Sequence, residues 1–355
     1  MNILITGSSG FIGSALTKRF AGHRIICLDR VLYPGDDTCE YRYCVDIANR
    51  GGLYDALKDI KSRLGPRLDC VFHLAAHYDF SNKKDRLYEE VNEKGTRNLL
   101  EALADFEVGV FIFSSSTAVM KGLNIADSGM DSGEKLSESF PLGSLLEYGE
   151  SKRRAEEVVI SFKNHLKVFV VRLAGVYAQE CRLIPLAHQI ASIYKKDIGS
   201  KFLPGGGLGG ISYVHIEDVV DGLERMIILR SQIPSGAVYI LSEEEYLPYA
   251  ELYGLISQGL YGDKSDFRLV SLPNWLLRGS VQIANYLRYI QSGKGYFFKP
   301  WMVNQSLIKY CFDTGKAKKE LGWNTRHSLR NCMEDMIREL KTDPEMWFRV
   351  NNIHL

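Results

Sequence analysis

The chain has 355 residues, 45% of them apolar, and its 44 Lys and Arg nearly balance 43 Asp and Glu, for a net charge of +1. That length suits one large α/β domain, or a large domain carrying a smaller one. The even charge balance gives no electrostatic reason to expect nucleic acid or an anionic membrane as partner.

The first segment, 2–6, is an apolar strand, and TGSSGFIG follows from Thr6 to Gly13. Gly7 suits a tight strand-to-helix turn that a side chain would forbid. Gly10 lets the backbone approach a pyrophosphate, and Gly13 lets the next helix pack against the strand. That helix opens at Phe11 and Ile12, with its amide-rich N-terminus turned toward the anion. A second strand at 24–29 ends on Asp29, whose carboxylate would accept the adenosine ribose hydroxyls and repel a 2′-phosphate, pointing to NAD. Arg30 beside it could take that phosphate, which keeps NADP as the lesser alternative.

Further apolar strands are expected at 41–44, 69–73, 109–114 and 168–172, with amphipathic stretches near 50–62, 84–104 and 147–164. Strands alternating with helices predict a parallel sheet covered on both faces. The last of these helices opens with Tyr148 and Lys152 in EYGESK. Four residues apart, the two side chains share a helix face. An ammonium there would favour the phenolate and lower the tyrosine's pKa, which makes a proton-transfer pair. After Gly175 the rhythm loosens into a glycine-dense 204–210, a strand at 211–214, a helix at 217–229 and helices near 248–259, 273–290 and 328–340. Seven scattered cysteines without a C-x-x-C suggest free thiols in a reducing compartment. No cleavable leader and no run of membrane-span length are visible, so the cytoplasm is the expected location.

In this order the motifs resemble the extended short-chain dehydrogenase/reductases, the group of nucleotide-sugar epimerases and dehydratases and of 3β-hydroxysteroid dehydrogenases. The likeness runs from Met1 to about Leu340. It includes CVDIAN with Asp46 and Ile47, FHLAAH with Leu74, Ala75 and Ala76, and VNEKGTRNLLEA with Asn92. It continues through FIFSSSTAV, YGESK, VRLAGVY, ISYVHIEDVV and FDTGKAKKELGW. The resemblance implies a Rossmann-type doubly wound α/β fold with a smaller C-terminal α/β substrate domain. The division would be 1–175 for NAD binding, with 211–229 docking back on it, and 176–355 mainly for substrate. It also implies Tyr148 as acid/base, Lys152 as its electrostatic partner and ribose ligand, and Ser116 as the second hydrogen bond to the substrate oxygen. Asp46, Ile47, Leu74, Ala75, Ala76, Asn92, Ser114 and Ser115 would line the cofactor. His77, Tyr78, Thr117, Gly175 and Val176 would lie toward substrate. A homodimer through 84–104 and 147–164 is the family habit.

Other signals carry less. His73 and His77 have the spacing of a metal pair, but that spacing converges only on a helix, and these lie at a strand end and its loop, so no metal is expected. His215, Glu217 and Asp218 belong to the segment that, in the family, docks the C-terminal part. Sugar-nucleotide enzymes tend to have Asn where this chain has Gly175, and Arg-Asp where it has Ile211 and Ser212. Losing two anion contacts disfavours a diphosphate in a closed site. The AGVY and ISYVH segments look more like the hydroxysteroid branch. In the tail, Leu276, Leu277, Ile283, Ala284 and Leu287 share one helical face, and Trp275, Phe297, Phe298 and Trp301 are further candidates for an apolar wall or a peripheral membrane contact. The leading expectation is an NAD-dependent alcohol/ketone oxidoreductase of a steroid- or isoprenoid-like substrate. The alternatives are a nucleotide-sugar 4-epimerase or dehydratase with retained NAD, and a non-catalytic dinucleotide sensor.

Overall fold

A computed structural model of the chain describes residues 1–32, 39–79, 82–125, 133–262, 270–272, 275–277, 279–283 and 299–353. Seven strands form the main sheet: β1 (Asn2–Thr6), β2 (Arg24–Asp29), β3 (Tyr41–Cys44), β4 (Cys70–His73), β5 (Phe111–Ser116), β6 (Val168–Leu173) and β7 (Ala237–Leu241). All pair in parallel, in the order β7-β6-β5-β4-β1-β2-β3. The chain therefore runs outward from β1 to β3, then returns to the other side of β1 at β4. That reversal opens a crevice at the carboxyl ends of β1 and β4, where ligands of such sheets bind.

The strands are apolar on both faces because both faces are covered. Alternate side chains point to opposite sides. Ile3, Ile5, Phe72, Ile112 and Phe169 enter one core, while Leu4, Val71, Phe111, Val168 and Val170 enter the other. The covering helices are α1 (Phe11–Arg19), α2 (Arg50–Leu64), a π-helical stretch (Tyr88–Gly95) running into α3 (Thr96–Ala102), and α4 (Glu147–Ser161). Later come α5 (Ile184–Tyr194), α6 (Ile216–Ile228), α7 (Tyr249–Tyr261), α8 (Pro300–Gln305), α9 (Gly315–Leu321), α10 (Leu329–Thr342) and α11 (Pro344–Val350). Helices α5, α7, α10 and α11 enclose a third core around Leu186, Ile190, Leu252, Ile256, Met336, Ile337 and Phe348. Among the described residues, no helix is long and apolar enough to cross a membrane.

Two buried carboxylates clasp the C-terminal part to the sheet. Asp218, fully buried in α6, accepts the backbone N–H groups of Arg326 and His327 at 3.1 Å each, and its own carbonyl accepts the Trp323 indole N–H at 2.8 Å. Glu243, just past β7, accepts the N–H of Leu329 at 2.9 Å, in the first turn of α10. Asp218 lies within the 211–229 segment, and its bonds reach the stretch just ahead of α10.

One expectation needs correction. The cysteines are not all free: Cys27 of β2 and Cys39, ahead of β3, form a disulfide with their Cα atoms 6.0 Å apart. Neighbouring parallel strands bring them within bonding reach, which a scattered spacing in sequence does not reveal.

Candidate active site

The crevice at the strand reversal is a cleft of about 300 Å³ lined by Gly7, Gly10, Asp29, Arg30, Asp46, Ile47, Leu74, Ala75, Ala76 and His77. Ser9, Leu28, Val31, Val45 and Val91 complete it. Sequence reasoning passed over these five, although Ser9 lies inside the glycine turn and Val45 beside Asp46. Gly7 holds φ +71°, and a Cβ there would come 2.7 Å from the Ala75 nitrogen, so the turn needs glycine. Gly13 packs so closely on Gly7 and Ser8 that a side chain would displace the turn from α1. Phe11 and Ile12 form the first turn of α1 and rest partly on the core beneath. Asp29 is already engaged: Oδ2 accepts the Ser9 N–H at 3.0 Å and Oδ1 the Val31 N–H at 3.3 Å. One carboxylate thus braces the glycine turn at the rim of the cleft. The absence of side chains along Gly7 and Gly10, the open N-terminus of α1 and the carboxylate at the end of β2 fit a dinucleotide.

The carboxyl end of β5 organises a second group. Three consecutive serines there make three different bonds. The Ser114 carbonyl accepts the Lys152 Nζ–H at 2.7 Å. The Ser115 hydroxyl donates to Glu156 Oε1 at 2.5 Å. Ser116 Oγ accepts the Ala118 N–H at 3.1 Å, capping the short 3-10 turn Thr117–Val119. Thr117 donates its hydroxyl to the Leu173 carbonyl at 3.3 Å. Arg172 of β6 forks onto Glu156 through Nε at 3.0 Å and Nη2 at 2.8 Å, so Glu156 is buried with its charge matched.

Tyr148 lies at the start of α4, its ring 4.7 Å from that of Tyr78 in an edge-on contact. Lys152 lies one turn on, 97% buried, with its ammonium 4.7 Å from the Phe113 ring centroid. The expected electrostatics are partly reversed. Burial, with Tyr88 a smaller influence, pushes the Tyr148 phenol well above its ordinary value, where a lowered one was expected. Burial also pushes Lys152 down to about 7, with Glu156 opposing the shift. Desolvation penalises whichever form is charged, and here it is the largest influence on both groups. A tyrosine held as the neutral phenol is ready to give up a proton to a developing alkoxide.

Asn92 falls in the π-helical stretch Tyr88–Gly95, which the sequence reading took as ordinary helix. Its amide bonds both main-chain groups of His77, accepting the N–H at 2.6 Å and donating to the carbonyl at 3.0 Å, and donates to Ser151 at 2.8 Å. It ties the loop after β4 to α4. π-Bulges recur at functional sites because they re-aim a side chain. His73 is a satisfied core histidine: Nδ1 meets the Thr6 hydroxyl at 2.7 Å and Nε2 the Thr96 hydroxyl at 2.9 Å, and burial depresses its pKa to about 3. His77 pairs instead with Asp85 at 3.4 Å. The two histidines do not converge.

Among the described residues, one group could converge on a metal: His215, Glu217 and His327, with ligand atoms within 4.8 Å. His215 Nδ1, however, accepts the Glu217 N–H at 3.3 Å. That bond puts the ring proton on Nε2 and removes the lone pair an ion would need.

Toward the expected substrate side, Gly175 pairs with Tyr213 in a two-stranded ladder, and Val176 follows it. A side chain at Gly175 would meet Leu183 at 3.0 Å, Tyr213 at 3.3 Å and Ile211 at 3.5 Å. Ser212 turns inward, 1% exposed, and donates to the Tyr310 carbonyl at 3.2 Å. In the tail, Leu277 is buried but Trp275, Leu276 and Ile283 are exposed. The expected single inward apolar face is therefore split, while Ala284, Leu287, Phe297 and Phe298 lie outside the described residues.

Residues 3–241 match the NAD dependent epimerase/dehydratase family. The human sterol-4-alpha-carboxylate 3-dehydrogenase, decarboxylating, is 23% identical over 95% of this chain and 87% of its own length. The dTDP-D-glucose 4,6-dehydratase of Dictyostelium discoideum is 30% identical over 64% of this chain and 55% of its own. Among solved structures, the dTDP-glucose 4,6-dehydratase from Streptomyces venezuelae, with NAD and TYD bound, superposes with a TM-score of 0.69 at 21% identity. That superposition covers 99% of this chain and 100% of the other.

Proposed function

The chain belongs to the NAD dependent epimerase/dehydratase family and is an NAD-dependent enzyme of the extended short-chain type, and from that premise we propose that it interconverts an alcohol and a ketone on a lipophilic, steroid- or isoprenoid-like substrate. The observation that carries the reading is the apolar enclosure of Gly175 by Leu183, Tyr213 and Ile211, with Ser212 turned into the core. A sugar diphosphate brings at least two negative charges and needs paired donors. A lipid alcohol brings no such charges and gains on the order of 25 cal/mol per Å² of apolar surface it buries. The match to a sterol dehydrogenase over 95% of the chain supports the reading, since it includes the second half, whereas the dehydratase match covers 64%.

NAD, when bound, supplies the hydride acceptor or donor, and Gly7, Gly10, Asp29 and the N-terminus of α1 would hold it. The protein's own part is at the substrate oxygen. Tyr148 gives its phenolic proton to that oxygen during reduction and takes it back during oxidation. Ser116 offers the second hydrogen bond to the same atom. Lys152, held on the Ser114 carbonyl, stabilises the phenolate left after transfer when it carries its proton, which burial makes pH-dependent near 7. Asn92 fixes the His77 loop against α4, so the walls of the site move together. We extend the proposal to a substrate part built on the third core and a homodimer through 84–104 and 147–164, stretches packed side by side here.

A panel of hydroxysteroids and isoprenoid alcohols, followed by nicotinamide absorbance, tests the reading against UDP- and dTDP-sugars assayed for interconversion. Turnover of lipid alcohols or ketones in preference to sugars is expected. Epimerisation or dehydration of a sugar nucleotide with silence toward every lipid alcohol would overturn it. That second reading draws its support from the 30% identity to the dehydratase.

A further inference from the structure

A helix leaves its leading N–H groups without partners of its own, and α4 opens on Glu147 with Leu146, whose side chain has no acceptor, at its N-cap. The polar side chains nearby are committed elsewhere. Ser144 Oγ accepts the Leu146 N–H at 3.0 Å, and Glu150 Oε1 accepts the Ser144 N–H at 2.9 Å. The Glu147 N–H donates instead to Asn82 Oδ1 at 2.9 Å, across 65 residues of chain. The Asn82 amide also donates to the Leu145 carbonyl at 3.4 Å, so one side chain grips the main-chain groups on both sides of Leu146.

Asn82 suits this place in two ways. Its φ is +54°, in the left-handed region that Asn and Asp enter more readily than other side chains. Glycine would take the same backbone but bring no acceptor, while Ser or Thr would bring an acceptor and resist the backbone. What the grip holds is the turn that carries Tyr148, the residue after Glu147. The Tyr148 ring meets Tyr78 edge-on at 4.7 Å. Tyr78 in turn is flanked by two anchored residues. Asn92 holds both main-chain groups of His77, and the Tyr88 hydroxyl bonds the N–H and carbonyl of Asp79 at 3.3 and 2.8 Å. The segment after β4 therefore meets the start of α4 at the Tyr148 ring and again at the Glu147 amide.

We propose that Asn82 is a positioning residue for Tyr148, holding the first turn of α4 so that the phenol reaches the substrate oxygen beside Ser116. The inference deepens the proposed reaction and rests on Tyr148 as its acid/base. Helix ends open locally at little cost when their bonds are few. A proton passes only at hydrogen-bond distance, so a first turn that frays takes the phenol out of reach for part of the time.

The test compares Asn82→Gly, which keeps the left-handed backbone and removes the acceptor, with Asn82→Asp, which keeps an acceptor for the Glu147 N–H. Tyr148→Phe is the reference, and the substrate is whichever compound of the panel, lipid alcohol or sugar nucleotide, the wild-type chain turns over. Asn82→Gly should lower kcat about tenfold while KM and calorimetric NAD affinity stay within about twofold. Hydrogen exchange should quicken in the peptide that covers the first turn of α4. Asn82→Asp should recover most of both. Wild-type kcat in Asn82→Gly, with Tyr148→Phe slow, would overturn the proposal. Equal losses in the Gly and Asp variants, or a change in KM alone, would also overturn it. Wild-type turnover by Tyr148→Phe would remove the acid/base assignment itself, and this proposal with it.

Discussion

In the proposed reaction, Tyr148 and Asp29 would carry the two most exacting tasks at the scale of single side chains. Tyr148 is half-buried, its phenol beside Tyr78 and one helical turn from Lys152. Tyr148→Phe removes only the oxygen, so NAD affinity should hold while turnover falls by about 10²-fold or more, the usual worth of a general acid/base. Steady-state kinetics beside calorimetric NAD binding would separate the two. Asp29 braces the Ser9 and Val31 amides as well as facing the cleft. Asp29→Ala should therefore weaken NAD binding and narrow the preference over NADP, because the repulsion of a 2′-phosphate goes with the carboxylate. Titration of both cofactors into both proteins measures it. Where these residues fall in the fold was legible from the glycine turn and the Tyr-x-x-x-Lys spacing, since each motif is local. Their electrostatics were not. Burial is a property of the whole fold, and it reversed the expected direction at Tyr148.

Secondary-structure elements hold these side chains in place, and glycines set how closely the elements approach. Gly149, next to Tyr148, lies where α4 meets the turn after β5, and a Cβ there would overlap the Ala118 carbonyl and the Ser144 hydroxyl. Gly149→Ala should push the start of α4 away from the Ser116 turn. Turnover is expected to drop about tenfold or more, since small misplacements cost disproportionately in catalysis. Circular dichroism should show a folded protein, and kcat should carry the loss. Most strand positions were readable because buried parallel strands are apolar runs, but β7 (Ala237–Leu241) was passed over. The Arg172–Glu156–Ser115 linkage was not readable, because its members lie on β6, α4 and β5 and meet only after the sheet forms. Nor does any spacing pair Cys27 with Cys39 before β2 and β3 lie side by side.

Across the whole molecule, the C-terminal part is held by Asp218 and Glu243, and the second of these makes the clasp sensitive to pH. Burial pushes the Glu243 carboxyl from 4.5 to about 7, with Glu245 and Asp218 adding repulsion against the hydrogen bond of Leu329 and the nearby Tyr177 hydroxyl. Below pH 4.5 folded and unfolded chains both hold the proton. Between 4.5 and 7 the folded chain keeps a proton that the unfolded chain has lost, so stability from this site declines as pH rises and is lowest above 7. Glu243→Gln keeps a carbonyl for the Leu329 N–H without the charge. It should raise the thermal midpoint above pH 7, and the gain should shrink to nothing below 4.5. A series of melts across that range tests the sign. Asp218 lies within the 211–229 segment that the resemblance singled out, whereas Glu243 carries no motif and was passed over.

The π-helical stretch Tyr88–Gly95 has a consequence for how this chain can change over generations. Its hydrogen bonds reach one residue further than those of an α-helix, so it stores a single extra residue in an otherwise ordinary helix. Losing any one residue of the stretch would relax it to common pitch and swing Asn92 by about 100° relative to the helix that follows. The shortened helix would be more regular, but the side chain that grips both main-chain groups of His77 would point elsewhere. One-residue deletions between Asn92 and α3 are therefore closed to this helix while its grip on His77 is kept.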